Sequence, residues 1–416
     1  MSEAVVIVGS GPSGVRAAAW WRGQGAQVTY LAADGVRRDP ALGELAGVDA
    51  PISVGGLFSV TWGTITRAVF AAGTLHAVPL TPTAAAALLP PTAFAAAAKG
   101  WLRARARGEM KKLVGGGNET RGYQDWVIQS LGDPVYRHIF APYARKRFGD
   151  PEKLSANVAR YLHDGSSGDI RDEARVVRDL STLEGVRVVN ADGAVARIER
   201  DVVTTGGGER LEGRVFVDLA PRRVLDWIPV SARAGMVADA DALPSRDLVR
   251  VRLAARGTLP AVTDVIDASV PFFRVMRESG LPGGEGSAPT AIAVMLLGME
   301  EVPDHEIVAR VTEGLARMGV VAELGGASVD RLRDAQPVWE GPHLARARRH
   351  VEALAGLGVT PIGRAGLHAP LDPCEEVAYL DGVAGGMSVR EAVRAWVEPG
   401  ASAVVATPRV VVPVVR

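Results

Sequence analysis

Apolar and polar positions along the chain switch between two periods. Ala4-Val5-Val6-Ile7-Val8 is an unbroken apolar run, the pattern of a strand buried on both faces. It passes through Gly9-Ser10-Gly11-Pro12-Ser13-Gly14 into an Ala-rich, helix-prone segment ending near Gly23. A second strand follows at Gln27-Val28-Thr29-Tyr30-Leu31, so residues 1 to about 60 read as the opening of a doubly wound sheet. From Leu80 to Leu162 the pattern turns helical, with breaks at Pro90-Pro91 and Gly115-Gly116-Gly117. Short Val-rich strands return at Val186–Asn190, Ala194–Ile198, Asp201–Thr205 and Val215–Leu219, as in a meander that rejoins the first sheet. A sheet-like stretch from Asp247 to Leu297 precedes helical periodicity over Asp304–Met318 and Leu344–Leu357. Thr360-Pro361-Ile362 then leads into a second glycine cluster.

A strand that enters a helix through three spaced glycines offers backbone N–H groups and a positive helix end to a pyrophosphate. Gly9 would permit the tight turn, Gly11 the approach of the phosphates and Gly14 the packing of helix on strand, with Pro12 and Ser13 completing the loop. The motif predicts a dinucleotide site. The acidic residue expected at the end of the second strand, where a carboxylate bonds the ribose hydroxyls, is replaced by Ala32. Asp34, Arg37 and Arg38 follow in what reads as a solvated turn.

Composition narrows the picture. Lys plus Arg and Asp plus Glu both number 47 in 416 residues, so no excess charge draws the chain to nucleic acid. The length suits two or three subdomains. Cys374 is the single cysteine, which excludes an internal disulfide and a cysteine-based metal site and fits a reducing compartment. No apolar run reaches the roughly 18 to 20 residues of a membrane span, and the N-terminus lacks the marks of a signal peptide, so a cytoplasmic protein is expected. The histidines, at 76, 138, 163, 305, 343, 350 and 368, show no ligand spacing, and no metal is expected. Arg103, Arg105, Arg107, Lys111 and Lys112 read as a solvated helix face.

Further landmarks run in order over nearly the whole chain. They are Val54-Gly55-Gly56-Leu57-Phe58, the segment Gly73 to Leu80, and Phe140-Ala141-Pro142-Tyr143-Ala144-Arg145-Lys146-Arg147-Phe148-Gly149 with Leu154-Ser155-Ala156. Val195-Ala196-Arg197-Ile198, Val217-Asp218-Leu219-Ala220-Pro221 and Pro271-Phe272-Phe273-Arg274-Val275 come next. Gln336-Pro337-Val338-Trp339 and Ile362-Gly363-Arg364-Ala365-Gly366-Leu367-His368 close the series. Together with the N-terminal glycines these resemble the flavin-dependent amine oxidase superfamily, in particular the branch of protoporphyrinogen oxidases and UDP-galactopyranose mutases.

The resemblance implies an α/β chain. Its Rossmann-like, GR2-type FAD/NAD(P)-binding domain would come from residues 1–60, 186–235 and 356–396, with a mainly helical subdomain over 61–185. An inserted mixed-sheet substrate domain would span 236–355, and a tail 397–416. FAD is the implied cofactor. Gly9, Gly11, Pro12, Ser13 and Gly14 would hold its pyrophosphate, Gly55, Gly56 and Leu57 would lie against the flavin ring, and the Val195 backbone would meet the adenine. Gly363, Arg364 and Gly366 form the second flavin motif, which places His368 near the isoalloxazine. Tyr143 shares a helix face with Lys146, and Arg274 stands in an aromatic strand; these two, Tyr143 and Arg274, are the substrate-binding candidates. The chain departs from the family at Ala32, at Leu57 in place of a histidine, at Phe148 in place of a tryptophan, and over Ala369-Pro370-Leu371-Asp372-Pro373. Each change removes a polar contact, which implies weaker FAD binding.

The expected activity is FAD-dependent oxidation of a small-molecule intermediate in specialised biosynthesis. One alternative is a non-redox flavin enzyme of the sugar-nucleotide mutase type. The other is a relative that has lost FAD and acts as a cofactor-independent isomerase, cyclase or binding scaffold. No residue is singled out as catalytic, and the expected partners are the small-molecule substrate and a second copy in a homodimer.

Overall fold

The computed structural model describes residues 3–9, 12–32, 67–77, 88–99, 102, 122–156, 158, 185–189, 195–260, 262–277, 289–369, 379–380, 382–383 and 385–397. Its strands are β1 (Ala4–Gly9), β2 (Gln27–Ala32), β3 (Arg67–Ala71), β4 (Thr74–Ala77), β5 (Val186–Val189), β6 (Val195–Glu199), β7 (Val202–Thr205) and β8 (Arg210–Glu212). They continue with β9 (Arg214–Asp218), β10 (Ser245–Arg256), β11 (Val262–Val265), β12 (Arg274–Arg277), β13 (Thr290–Leu296), β14 (Val321–Pro337) and β15 (Val359–Pro361).

One sheet has the order β15-β9-β1-β2-β5, and each of its pairings is parallel. The apolar run of β1 is continuous because both faces are covered. Val5 and Ile7 pack with Ala17, Ala18 and Trp21 of the Pro12–Gly23 helix and with Val351 of the His343–Gly356 helix. Val6 and Val8 face the other way, onto Ile198, Val203 and Leu211 of the antiparallel β6-β7-β8 meander and Val224 and Leu225 of the Pro221–Trp227 helix. The chain is thus a mixed α/β protein with a parallel sheet, and the Val-rich strands read from the sequence at 186–190, 194–198 and 201–205 become β5, β6 and β7.

A second sheet of seven strands has the order β14-β10-β13-β12-β11-β3-β4. On one face Val249, Val251, Leu253 and Ala255 pack against Ile307, Val311 and Leu315, spaced by four along the Asp304–Arg317 helix. Gly314 on that helix lies so close to the sheet that a Cβ would sit 2.6 Å from the Phe272 ring. The opposite face, with Leu248, Met276, Met295 and Leu332, receives Ile139 and Tyr143. Tyr143 belongs to the Ala141–Phe148 helix, whose other side carries Ala144 and Phe148 into a core with Tyr123, Leu154, Val338 and Trp339.

Two elements differ from the sequence pattern. Val321–Pro337 carries a Gly-Gly pair and five charged residues, and no strand is read there; it forms a 17-residue edge strand paired with β10. Its antiparallel partner, not its own periodicity, holds it extended, and two register shifts accommodate the irregular stretch. β3 and β4, from a stretch read as mainly helical, form a hairpin that joins the seven-stranded sheet through parallel pairing of β3 with β11.

Candidate functional site

β1, β2 and β9 end side by side, with Gly9 level with Ala32 on one side and with Asp218 on the other. The Pro12–Gly23 helix begins beyond this edge, so its positive end faces the carboxyl ends of the parallel strands, where ligands bind in such sheets. Asp218 is 5% exposed, and its Oδ2 accepts the Gly14 N–H at 2.8 Å. A lone carboxylate at the end of the apolar run Val215-Phe216-Val217 requires such a donor once it is buried. That signal stands in the sequence, yet Asp218 is not among the site residues read from it.

The second glycine motif meets the first at this carboxylate. Gly363 has φ +69, and a Cβ there would fall 2.5 Å from Asp218 Oδ1 and 2.6 Å from Ser13 Cβ. A Cβ on Gly366 would fall 2.7 Å from the Val217 carbonyl oxygen, and the Ile362 N–H donates to that same oxygen at 2.8 Å. At Gly9 the constraint is space rather than conformation, since a Cβ would lie 2.9 Å from that of Asp218. Gly14 lies against Tyr30, whose ring would be 3.3 Å from a Cβ. Arg364 lies on the short Gly363–Leu367 helix, and Val195, at the start of β6, is buried beside Leu31 and Val217. Pro12 begins its helix. Gly11, Asp34, Arg37, Arg38, Gly55, Gly56 and Leu57 lie outside the described residues.

From the second motif a row of rings leads away. His368 ends the Gly363–Leu367 helix in a left-handed conformation, is fully buried, and has Nε2 3.3 Å from the Val338 carbonyl oxygen. Its ring centroid is 6.5 Å from that of His343, which is 6.5 Å from Trp339, which is 5.7 Å from Phe148. Three sequence-distant landmarks, those ending in Phe148, Trp339 and His368, therefore meet in one core. Burial pushes His343 down to about 4, and burial together with the neighbouring His343 pushes His368 down to about 3, so both rings are neutral at pH 7.

The row ends at a buried polar network. Tyr143 donates to Asp264 Oδ1 at 2.6 Å, Arg147 Nη1 donates to the Tyr143 oxygen at 3.1 Å, and Arg274 Nε donates to Asp264 Oδ1 at 2.7 Å. Arg147 also lies over the rings of Phe148 and Phe273, at 5.2 and 5.7 Å from their centroids. Burial, then the Asp264 charge, raises the Tyr143 pKa and keeps it a phenol. The two substrate-binding candidates are thus brought together, and the carboxylate that Arg274 grips is Asp264. Lys146 serves the scaffold instead. Its Nζ donates to the carbonyls of Val265 at 3.3 Å, Phe272 at 3.4 Å and Asp267, tying its helix to the β11–β12 connection. Burial lowers the Lys146 pKa to about 8. Asp264 and His343 join the arrangement only through the fold, because nothing in their local sequence marks them, whereas Arg147 stands in the landmark that carries Tyr143.

A dinucleotide asks this edge for a helix N-terminus and for backbone free of side chains where the strands end. The Pro12–Gly23 helix supplies the first condition; at Gly9, Gly14, Gly363 and Gly366 the lack of a side chain lets Asp218, Tyr30, Ser13 and the Val217 carbonyl pack closely, so the edge offers the helix end with a carboxylate beside it. Among the described residues no group of three or more His, Cys, Asp or Glu side chains could hold a metal ion, and no helix is long and apolar enough to cross a membrane.

No family model and no curated protein matches the chain. Solved structures do match. Reduced UDP-galactopyranose mutase superposes with a TM-score of 0.66 at 13% identity, covering 94% of this chain and 96% of that one. This likeness, at low identity, is one of fold. A protoporphyrinogen oxidase-like protein from Exiguobacterium sp. 255-15 matches with a TM-score of 0.59 at 16% identity, over 95% of this chain and 98% of that one. A fatty acid isomerase from P. acnes that produces CLA matches with a TM-score of 0.54 at 13% identity, over 88% and 94%. These neighbours are an oxidase-like protein, a mutase and an isomerase, and what the chain shares with them is the fold.

Proposed function

We propose that the chain is a flavin-dependent enzyme that oxidises a small molecule, with FAD lying along the carboxyl ends of β1, β2 and β9. The observation that carries this reading is the meeting of the two glycine motifs at Asp218, at the edge where a parallel sheet of this kind binds nucleotides. Gly9, Ser13 and Gly14 would flank the pyrophosphate, and Gly363, Arg364 and Gly366 would close on it from the other side. When bound, the flavin supplies a two-electron acceptor. The chain's own residues then shape and dry the space beside it. Phe148, Trp339, His343 and His368 form an apolar, uncharged wall, and the network of Tyr143, Asp264, Arg147 and Arg274 keeps the helix of that wall in place. Burial holds His343 at about 4 and His368 at about 3, so both are weak bases near pH 7, and the row would serve to orient a substrate and exclude water.

A second reading is favoured by Asp218 itself. A carboxylate already bonded to the Gly14 N–H supports a relative that works without flavin, as an isomerase, cyclase or binding scaffold. The absorbance spectrum of purified protein, before and after incubation with FAD and gel filtration, decides between them. Visible flavin bands that co-elute with the protein support the first reading; a colourless protein that takes up no FAD overturns it.

A further inference from the structure

We infer that Asp218 is a built-in competitor for the pyrophosphate, so that this chain holds a dinucleotide loosely and exchanges it; the inference rests on the cofactor site proposed above. The carboxylate accepts the N–H of Gly14, in the first turn of the 12-residue Pro12–Gly23 helix, from a different strand. It therefore caps that terminus and places a negative charge where the helix end would otherwise draw phosphate. The carboxylate is 5% exposed, and the missing side chains of Gly9 and Gly363 leave it the space it occupies. A pyrophosphate arriving at this edge meets a buried carboxylate and a donor already engaged. Ala32 deepens the effect, because no carboxylate at that position bonds the ribose.

The test measures dissociation constants for FAD, ADP, adenosine and riboflavin with wild type, Asp218→Asn and Asp218→Ala, along with the melting temperature of each flavin-free protein. The Asn variant keeps an acceptor for the Gly14 N–H and removes the charge. Both variants are expected to bind FAD and ADP about tenfold more tightly or better, with riboflavin unchanged because it carries no phosphate. The Ala variant alone should also melt at lower temperature, since only it lacks the cap. Wild type needs no substitution to be informative: it should bind adenosine at least as tightly as ADP. Wild type that prefers ADP about tenfold, or variants whose FAD affinity is unchanged or weaker, would overturn the inference while leaving the flavin site standing. Failure of wild type and both variants to bind any of the four ligands would remove the site and the inference together.

Discussion

Gly363 lies so close to Asp218 that a Cβ on it would stand 2.5 Å from a carboxylate oxygen, although the two residues come from motifs far apart in the chain. Ser13 presses on the same point from the first motif, its Cβ 2.6 Å away. The contact places β9, the Pro12–Gly23 helix and the Gly363–Leu367 helix in fixed relation at the sheet edge.

Gly363→Ala should therefore destabilise the protein by at least about 1 kcal/mol, since the substitution adds strain at φ +69 to a clash with Ser13 Cβ, which no rotamer change can relieve. Gly356→Ala is the matched control. It ends the His343–Gly356 helix with nothing within 4 Å of a Cβ, and should be neutral or stabilising by about 0.5–1 kcal/mol. Urea unfolding of the two variants checks the contrast; equal costs would mean that the packing at Asp218 is not tight.

Asp264→Asn should cost more than Tyr143→Phe. The first leaves the guanidinium of Arg274, 13% exposed, facing a neutral amide, a loss of about 2–4 kcal/mol. The second removes one buried hydroxyl and leaves the Arg274–Asp264 pair, a loss of about 1–2 kcal/mol. Chemical denaturation of both variants gives the order, and the reverse order would show that the phenol rather than the carboxylate organises the network.

Acid should unfold the protein through its buried histidines. Burial lowers His343 and His350 from 6.5 to about 4 and, with the His343 ring beside it, His368 to about 3. All three folded values are depressed, so between pH 6.5 and about 4 the unfolded chain binds more protons than the native one. Stability is then full above pH 6.5 and falls as pH drops through that window, by up to about 3 kcal/mol per histidine. Among the described residues neither ring nitrogen of His350 has a hydrogen-bond partner. His350→Leu should thus change little at pH 7 and make the protein more stable than wild type at pH 5, as read from melting temperatures across pH. A variant that loses as much stability as wild type between those values would exclude His350 from the acid response.

Much of the parallel sheet was legible because its signals are local. A continuous apolar run into Gly9-Ser10-Gly11-Pro12-Ser13-Gly14 specifies a doubly covered strand and a turn into a helix. The spacing of Ile307, Val311 and Leu315 likewise specifies one buried helix face, whatever lies opposite. The landmarks ending in Phe148, Trp339 and His368 could be found one by one, but nothing in their separate sequences states that their rings touch.

By itself, then, the sequence determined where strands and helices of strong period begin, and which glycines permit close approach. Only the tertiary structure decided what each buried polar group faces. Arg274 could grip any carboxylate until the pairing of β11 with β12 set Asp264 opposite it. Asp218 was one residue of a strand until the pairing of β9 with β1 carried it under the Gly14 N–H. Val321–Pro337 is extended because β10 runs beside it, not because of its own residues. Periodicity and turn chemistry act over a few residues, whereas the partner of a buried charge or of an edge strand is chosen by chain brought close only when the sheets assemble.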